Sequence, residues 1–180
     1  MQRVTKIIGN VFPFPIEHIP EGVLKASQDF GNAVHKMCEL YLKGTLKITT
    51  LDPILVNYLE QFMKWIDDTK FEFMGFEEKL VSKKYNFSGT PDIYGKYRKR
   101  LAIVDLKTTS TLSKTLGLQL SGYELLVKEK VGGNVQYCDR YVLRLSPDKY
   151  EFKQVKGTRD MSVFLACLAI SNFKQEVGIE

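Results

Sequence analysis

The sequence contains no run of about 18 apolar residues, the length a helix needs to cross a bilayer, so no membrane contact is expected. It holds three cysteines, Cys38, Cys138 and Cys167, far apart and without a C-x-x-C pair. That number excludes a disulfide framework and any zinc or iron–sulfur site built on four thiolates. It fits a reducing, cytoplasmic compartment. No repeat, low-complexity tract or Ser/Gly linker divides the 180 residues, which therefore read as one domain spanning 1–180. The start, Met1 to Lys6, leads into a short apolar stretch and then Pro13, Pro15, Glu17 and His18, which is not the pattern of a secretory signal. No G-x-x-x-x-G-K-[ST] loop is present, so no nucleotide-driven motor is expected within the chain. What is there is ordinary in bulk: 44% hydrophobic and 26% charged residues suit a globular chain that buries a full core.

The charge is uneven along the chain. The net charge is +5, yet residues 79–115 carry nine Lys and Arg against two acids, while everything else sums to −2. A basic segment of this kind suits a polyanion such as nucleic acid, although Lys-rich hairpin turns are also ordinary solvated turns. Lys83, Lys84, Arg98 and Arg100 are its candidate DNA contacts. The two acids inside it, Asp92 and Asp105, flank one expected hairpin.

Residues 1–26 are expected to form an irregular lead-in, with three of the six prolines in the first 22. A helix is expected from Ser27, with Phe30, Val34, Met37 and Tyr41 on one face and Ser27 or Asp29 as its cap. A second should be capped by Asp52, with Pro53 in its first turn and Ile54, Leu55, Tyr58, Leu59, Phe62, Met63 and Ile66 inward. Extended segments follow at 71–82, 87–97 and 101–108. A helix from about Ser113 is closed by Gly132-Gly133. Strands over 136–145 and 150–156 meet at the turn Ser146-Pro147-Asp148-Lys149. A last helix over 159–176 would bury Val163, Phe164, Cys167, Leu168 and Ile170. The order α-α-β-β-β-α-β-β-α implies an α/β fold with a mixed central sheet flanked by helices.

Chemistry concentrates at Asp105-Leu106-Lys107, the polar end of an apolar strand. Alternation places Asp105 and Lys107 on one face and Leu106 on the other. The tripeptide alone decides nothing, because Asp68–Lys70, Glu77–Lys79 and Glu151–Lys153 repeat it as plain surface charge. Context singles out Asp105. A hairpin turning at Arg98-Lys99-Arg100 brings Asp92 alongside it, and two adjacent carboxylates repel unless a cation lies between them. Pro91 cannot donate to a ladder, so the strand should distort beside Asp92. His35 lies four residues after Gly31, a position that would permit close approach of a strand or a phosphate backbone. Imidazole suits manganese better than magnesium. Glu39, one turn on, is either its acceptor or a surface acid. Of Glu77 and Glu78 only one can face the same side, and periodicity does not choose between them. Gln119 and Tyr123 share a helix face.

Gly31-x-x-x-His35, a glutamate at 77 or 78, Gly89-Thr90-Pro91-Asp92, Asp105-Leu106-Lys107 and Gln119-x-x-x-Tyr123 stand in that order over about residues 30–125. Together they resemble the PD-(D/E)XK nuclease superfamily, and within it the RecB-like exonuclease branch that includes phage exonucleases and the mitochondrial genome maintenance exonuclease. The resemblance implies a restriction-endonuclease-like core and metal-dependent hydrolysis of DNA. His35, Asp92, Asp105 and the Leu106 carbonyl would hold Mg²⁺ or Mn²⁺. Lys107 would position the attacking water, and Glu77, favoured because Leu80 follows three residues later, would support the metal or its water. Gln119 and Tyr123 would place the DNA strand. Iron–sulfur members of the branch carry four cysteines, and this chain cannot. Partners would be single- or double-stranded DNA, and a second copy or a recombination or replication protein. Three readings stand side by side: an exonuclease, an endonuclease of the same fold, and a nucleic-acid-binding module without activity. The last gains nothing from carboxylates set inside a basic surface.

Overall fold

Asp52 starts a helix as its side chain dictates. Its Oδ1 accepts from Ile54 N at 2.9 Å, and Pro53 takes the first turn, where no amide is needed. The computed structural model describes residues 1–13, 20–133 and 135–179. In it this helix, α3, spans Pro53–Thr69 and packs on α2, Glu21–Leu42. The buried face of α3 is Tyr58, Leu59, Phe62 and Trp65, whereas the expected Ile54 and Met63 face solvent. The stripe is rotated toward Trp65, which stacks on Phe62 with ring centroids 5.5 Å apart. Burying a side chain such as Phe62 stabilises the fold by roughly 1.5–3 kcal/mol.

The lead-in is not irregular over residues 1–13. Gln2–Arg3 forms β1, and Val4–Gly9 forms a short helix, α1, whose Val4, Ile7 and Ile8 are buried against helices of the C-terminal half. Of the prolines that suggested a loop, Pro15 lies in 14–19, outside the described residues, as do Glu17 and His18. Helix α2 begins directly after Pro20, six residues before the expected start, so Ser27 and Asp29 lie inside it and cap nothing.

Two of the expected strands each divide. Segment 71–82 becomes β2, Glu72–Phe76, and β3, Leu80–Ser82, parted at Glu77, whose φ is +45°. Segment 87–97 becomes β4, Phe87–Gly89, and β5, Ile93–Tyr97, parted at Thr90-Pro91-Asp92, where proline offers no ladder donor. The later elements follow expectation closely: β6, Arg100–Lys107; α4, Leu116–Val131; β7, Cys138–Leu145; β8, Tyr150–Gln154; and α5, Asp160–Val177. Ile170 of α5 is exposed, and Ser171 is buried in its place, bonded to Gln2 and Asn10. The strands form two sheets, a small one ordered β1-β4-β3 and a five-stranded one ordered β2-β5-β6-β7-β8. The larger is mixed, with β6 and β7 parallel and the other neighbours antiparallel. Helices flank it on both faces, giving a mixed α/β architecture. Strand β6 alternates between two cores: Leu101 and Ile103 face α4 and α5, while Ala102, Val104 and Leu106 face α2 and α3. No helix among the described residues is long and apolar enough to cross a membrane, and the three cysteines are free.

Candidate active site

The β5–β6 hairpin pairs Ile93 with Val104, so the next step of the register sets Asp92 opposite Asp105. Both carboxylates are buried at the sheet end where α2 and α4 converge. Asp92 Oδ2 accepts from Leu106 N at 2.7 Å, and its Oδ1 faces His35 Nδ1 at 3.7 Å. Asp105 Oδ1 accepts from Gln119 Nε2 at 3.0 Å, and Oδ2 lies 2.6 Å from Lys107 Nζ. Oδ2 is fully buried, and this close ion pair with the Lys107 ammonium is the contact that compensates its charge. Alternation thus brings Asp105 and Lys107 to one face, as expected from the sequence. Lys107 Nζ also donates to the Leu106 carbonyl at 3.4 Å.

His35 reaches this end from α2. Its Nδ1 lies 2.9 Å from Glu77 Oε1 and its Nε2 lies 3.0 Å from the Leu106 carbonyl. Both partners are acceptors only, so the ring has the bonding pattern of an imidazolium. Burial pulls the His35 pKa down, but the Glu77 hydrogen bond and the Asp92 charge outweigh it and leave the ring above its ordinary value. Glu39 is not its acceptor; it pairs with Lys36 at 2.7 Å and Lys43 at 2.5 Å on the surface. At Gly31, α2 passes the end of β6, but a Cβ there would lie 3.6 Å from Thr108 Oγ1, an ordinary contact, so a small side chain would fit.

The backbone decides between the two glutamates. The left-handed Glu77 interrupts β2, and its N–H donates to the Asp92 carbonyl at 2.9 Å, which turns its carboxylate toward His35. Glu78 instead bonds the Tyr94 hydroxyl and Lys130. Donor atoms of His35, Glu77 and Asp92 all lie within 4.8 Å of one another. Burial first, and then the Asp105 charge, push Asp92 up to about 7. A hard divalent cation fits this set: oxygen donors, one imidazole, and carboxylates whose repulsion a cation relieves. For Lys107, burial lowers the pKa, but the Asp105 and Asp92 charges more than compensate and raise it, so the ammonium persists at neutral pH.

The remaining sequence candidates divide. Gln119 bonds Asp105 and also the Tyr123 hydroxyl at 3.3 Å, so it fixes a carboxylate. A cleft of about 480 Å³ opens beside His35, Glu77 and Asp92, and a separate cavity of about 200 Å³ is lined by Arg3, Lys79, Thr90 and Tyr123. Arg3 was not foreseen, because its segment read as a loop. Lys79 belongs to the basic window but was not singled out. Arg98 and Arg100 lie at the hairpin turn, about 17 Å from Asp105 at ~3.4 Å per residue, so the structure does not bring them to the carboxylates. Arg100 is held by Asp139 at 2.8 Å, and Arg98 covers the Tyr97 ring. Lys83 and Lys84 occupy the β3–β4 turn; Lys84 covers Tyr85, and the Lys83 amide donates to Glu129.

No protein-family profile matches the chain, and no curated protein matches it at a significant level. Among solved structures it is similar to a candidate exonuclease from Eubacterium rectale, with a TM-score of 0.51, 9% identity and 78% of this chain covered. The chain spans 64% of the length of that protein. An alkaline exonuclease from Laribacter hongkongensis matches at a TM-score of 0.42, with 14% identity over 98% of this chain and 92% of its own. Its complex with dAMP matches at 0.43, with 14% identity over 98% and 93%. The fold class is mixed α/β with mixed sheets flanked by helices, in keeping with a restriction-endonuclease-like core.

Proposed function

We propose that the chain is a divalent-metal-dependent deoxyribonuclease working from DNA ends, of the RecB-like branch of the PD-(D/E)XK superfamily and without an iron–sulfur cluster. Residues 1–180 would act as one nuclease domain. The observation that carries this reading is the buried Asp92–Asp105 pair, with the Lys107 ammonium on one side and the His35–Glu77 pair on the other. The likeness of fold to the Eubacterium rectale protein supports it.

His35, Glu77, Asp92, Asp105 and the Leu106 carbonyl would hold the ion. When bound, Mg²⁺ or Mn²⁺ supplies a polarised water and neutralises charge building on the scissile phosphate. The chain's own groups set the geometry. Gln119 holds Asp105 in one orientation. Lys107, already an ammonium, orients the water and donates to the phosphate oxygen; it is a donor and not a base. Arg3, Lys79, Thr90 and the Tyr123 hydroxyl receive the neighbouring phosphate backbone. The water oxygen bonds to phosphorus as the bond to the sugar oxygen breaks; the water gives up a proton to solvent and the departing sugar oxygen takes one up from solvent, leaving a terminal phosphate and a free sugar hydroxyl.

The test is cleavage of end-labelled linear single- and double-stranded DNA beside a covalently closed circle, with Mg²⁺, Mn²⁺ or EDTA. Loss of the linear substrates only, with either ion and not in EDTA, is expected. Cutting of the closed circle would replace the exonuclease by an endonuclease. Activity in EDTA, or full activity in Asp105→Ala, would overturn the site.

A further inference from the structure

The basic window splits in space. Lys96, Lys99 and Arg100 gather at the hairpin end of the sheet, about 14 Å or more from Asp105 at ~3.4 Å per residue. There they rim a groove of about 340 Å³ whose walls include Met74, Val131 and Tyr137. These three apolar residues are 46%, 36% and 62% exposed, which leaves uncovered apolar surface at the bottom of a cationic rim. No residue lining the groove is acidic. Asp139 holds the Arg100 guanidinium, which in turn lies over the Tyr137 ring with its carbon 5.5 Å from the centroid. Lys96 and Lys99 form no ion pair among the described residues, although Glu72 stands across from Lys96 in the β2–β5 register.

We propose that this groove docks an acidic, amphipathic peptide segment of a partner protein. Charge selects the class: Arg100 is already held by Asp139, but Lys96 and Lys99 form no ion pair among the described residues, so the rim keeps positive charge that favours Asp- and Glu-rich chains. The walls select the anchor, because Met74 and Val131 are aliphatic and the groove is concave, so a Leu, Ile or Phe side chain gains by leaving water there. A single DNA strand fits less well. Strand-binding surfaces stack successive bases on aromatic faces, whereas here one tyrosine is present and Arg100 covers one of its faces. A second copy seated symmetrically would set cations against cations. A partner docked here leaves the catalytic cleft open and tethers a second protein to the opposite end of the sheet. The proposal does not depend on the proposed nuclease activity.

The test is selection from a displayed library of random peptides against the full chain, followed by fluorescence anisotropy with a synthetic copy of an enriched sequence. Enrichment of Asp and Glu around Leu, Ile or Phe is expected. Binding should weaken about tenfold or more in the Lys96→Glu/Lys99→Glu double variant and in Tyr137→Ser. Circular dichroism and DNA cleavage should stay at the wild-type level in both, because these side chains are exposed and remote from the carboxylates. No enrichment, enrichment of neutral or basic sequences, or binding that ignores both variants overturns the proposal. An oligothymidylate that displaces the peptide and weakens in the same variants would assign the groove to nucleic acid. A dimer in sedimentation velocity that the double variant dissolves would assign it to a second copy.

Discussion

Replacing Asp92 by asparagine should stabilise the protein while abolishing cleavage. Asp92 is raised from 3.8 to about 7, first by burial and then by the Asp105 charge. Between those values the native state holds a proton that the unfolded chain releases. Stability from this group therefore falls as pH rises from about 4 to about 7, and above that window the ionised carboxylate carries its full cost. A displacement of about 3 units corresponds to a ceiling of about 4 kcal/mol. The realised gain is smaller, because His35 loses the Asp92 charge that now favours its imidazolium. An amide in place of the carboxylate keeps an acceptor for Leu106 N. A gain of roughly 1–3 kcal/mol at pH 8 is expected, or roughly 3–10 °C in Tm for a chain of this size. At pH 5 the gap should narrow sharply, since wild-type Asp92 is then mostly protonated. Urea unfolding in EDTA at the two pH values measures it. A less stable Asp92→Asn at pH 8, or an equal gap at both pH values, would refute the electrostatic reasoning.

Three further outcomes follow from the same geometry. Glu77→Gln should weaken Mn²⁺ binding about 10–100-fold and depress cleavage, while Glu78→Gln, which touches Tyr94 and Lys130, should leave both unchanged; titration calorimetry and the DNA assay compare them. Metal binding should release protons, because His35 and Asp92 both titrate above their ordinary values and a cation displaces those protons. Affinity should then rise from pH 6 toward pH 8 and level off, with calorimetric heats that scale with buffer ionisation enthalpy; affinity indifferent to pH would count against it. Lys107→Ala should lower kcat about 10²–10³-fold with DNA affinity largely kept. Since the lysine is raised above its ordinary value, the wild-type pH–rate profile should show no limb from it near neutrality.

The parts of this fold that were legible in the sequence rest on regular backbone. Asp52-Pro53 announced α3 because capping is local chemistry. The apolar run of β6 announced a central strand, and alternation then put Asp105 with Lys107. The hairpin that joins Asp92 to Asp105 followed from one turn between two acids. The failures have physical causes as definite as the successes. Helix α1 is only six residues long, too short to display a period, and what holds it is burial of Val4, Ile7 and Ile8. Arg98 and Arg100 share the basic window with Asp92 and Asp105, but a charge count along a segment carries no distances. A hairpin sends the turn and the strand ends in opposite directions, so neighbours in the window became the far edge of the sheet.

Glu77 is more instructive: the resemblance favoured it through Leu80, while alternation had no answer there in principle. Alternation presumes an extended chain, and the chain at Glu77 is left-handed, a conformation that disfavours a side chain with a Cβ. Its amide donates to the Asp92 carbonyl, so the same contact that bends β2 also secures the residue beside Pro91, where β4 and β5 part. Two irregularities, a left-handed glutamate and a proline without a donor, therefore support one another at one point. Regular ladder bonding is given up there, and in return Glu77 and Asp92 converge on His35 from strands that would otherwise run past it. A site assembled in this way is marked in the sequence by residues unsuited to a strand, and Pro91 was such a mark. The left-handed glutamate carried no such mark in its own identity, and only the resemblance, through Leu80 three residues on, favoured it over Glu78.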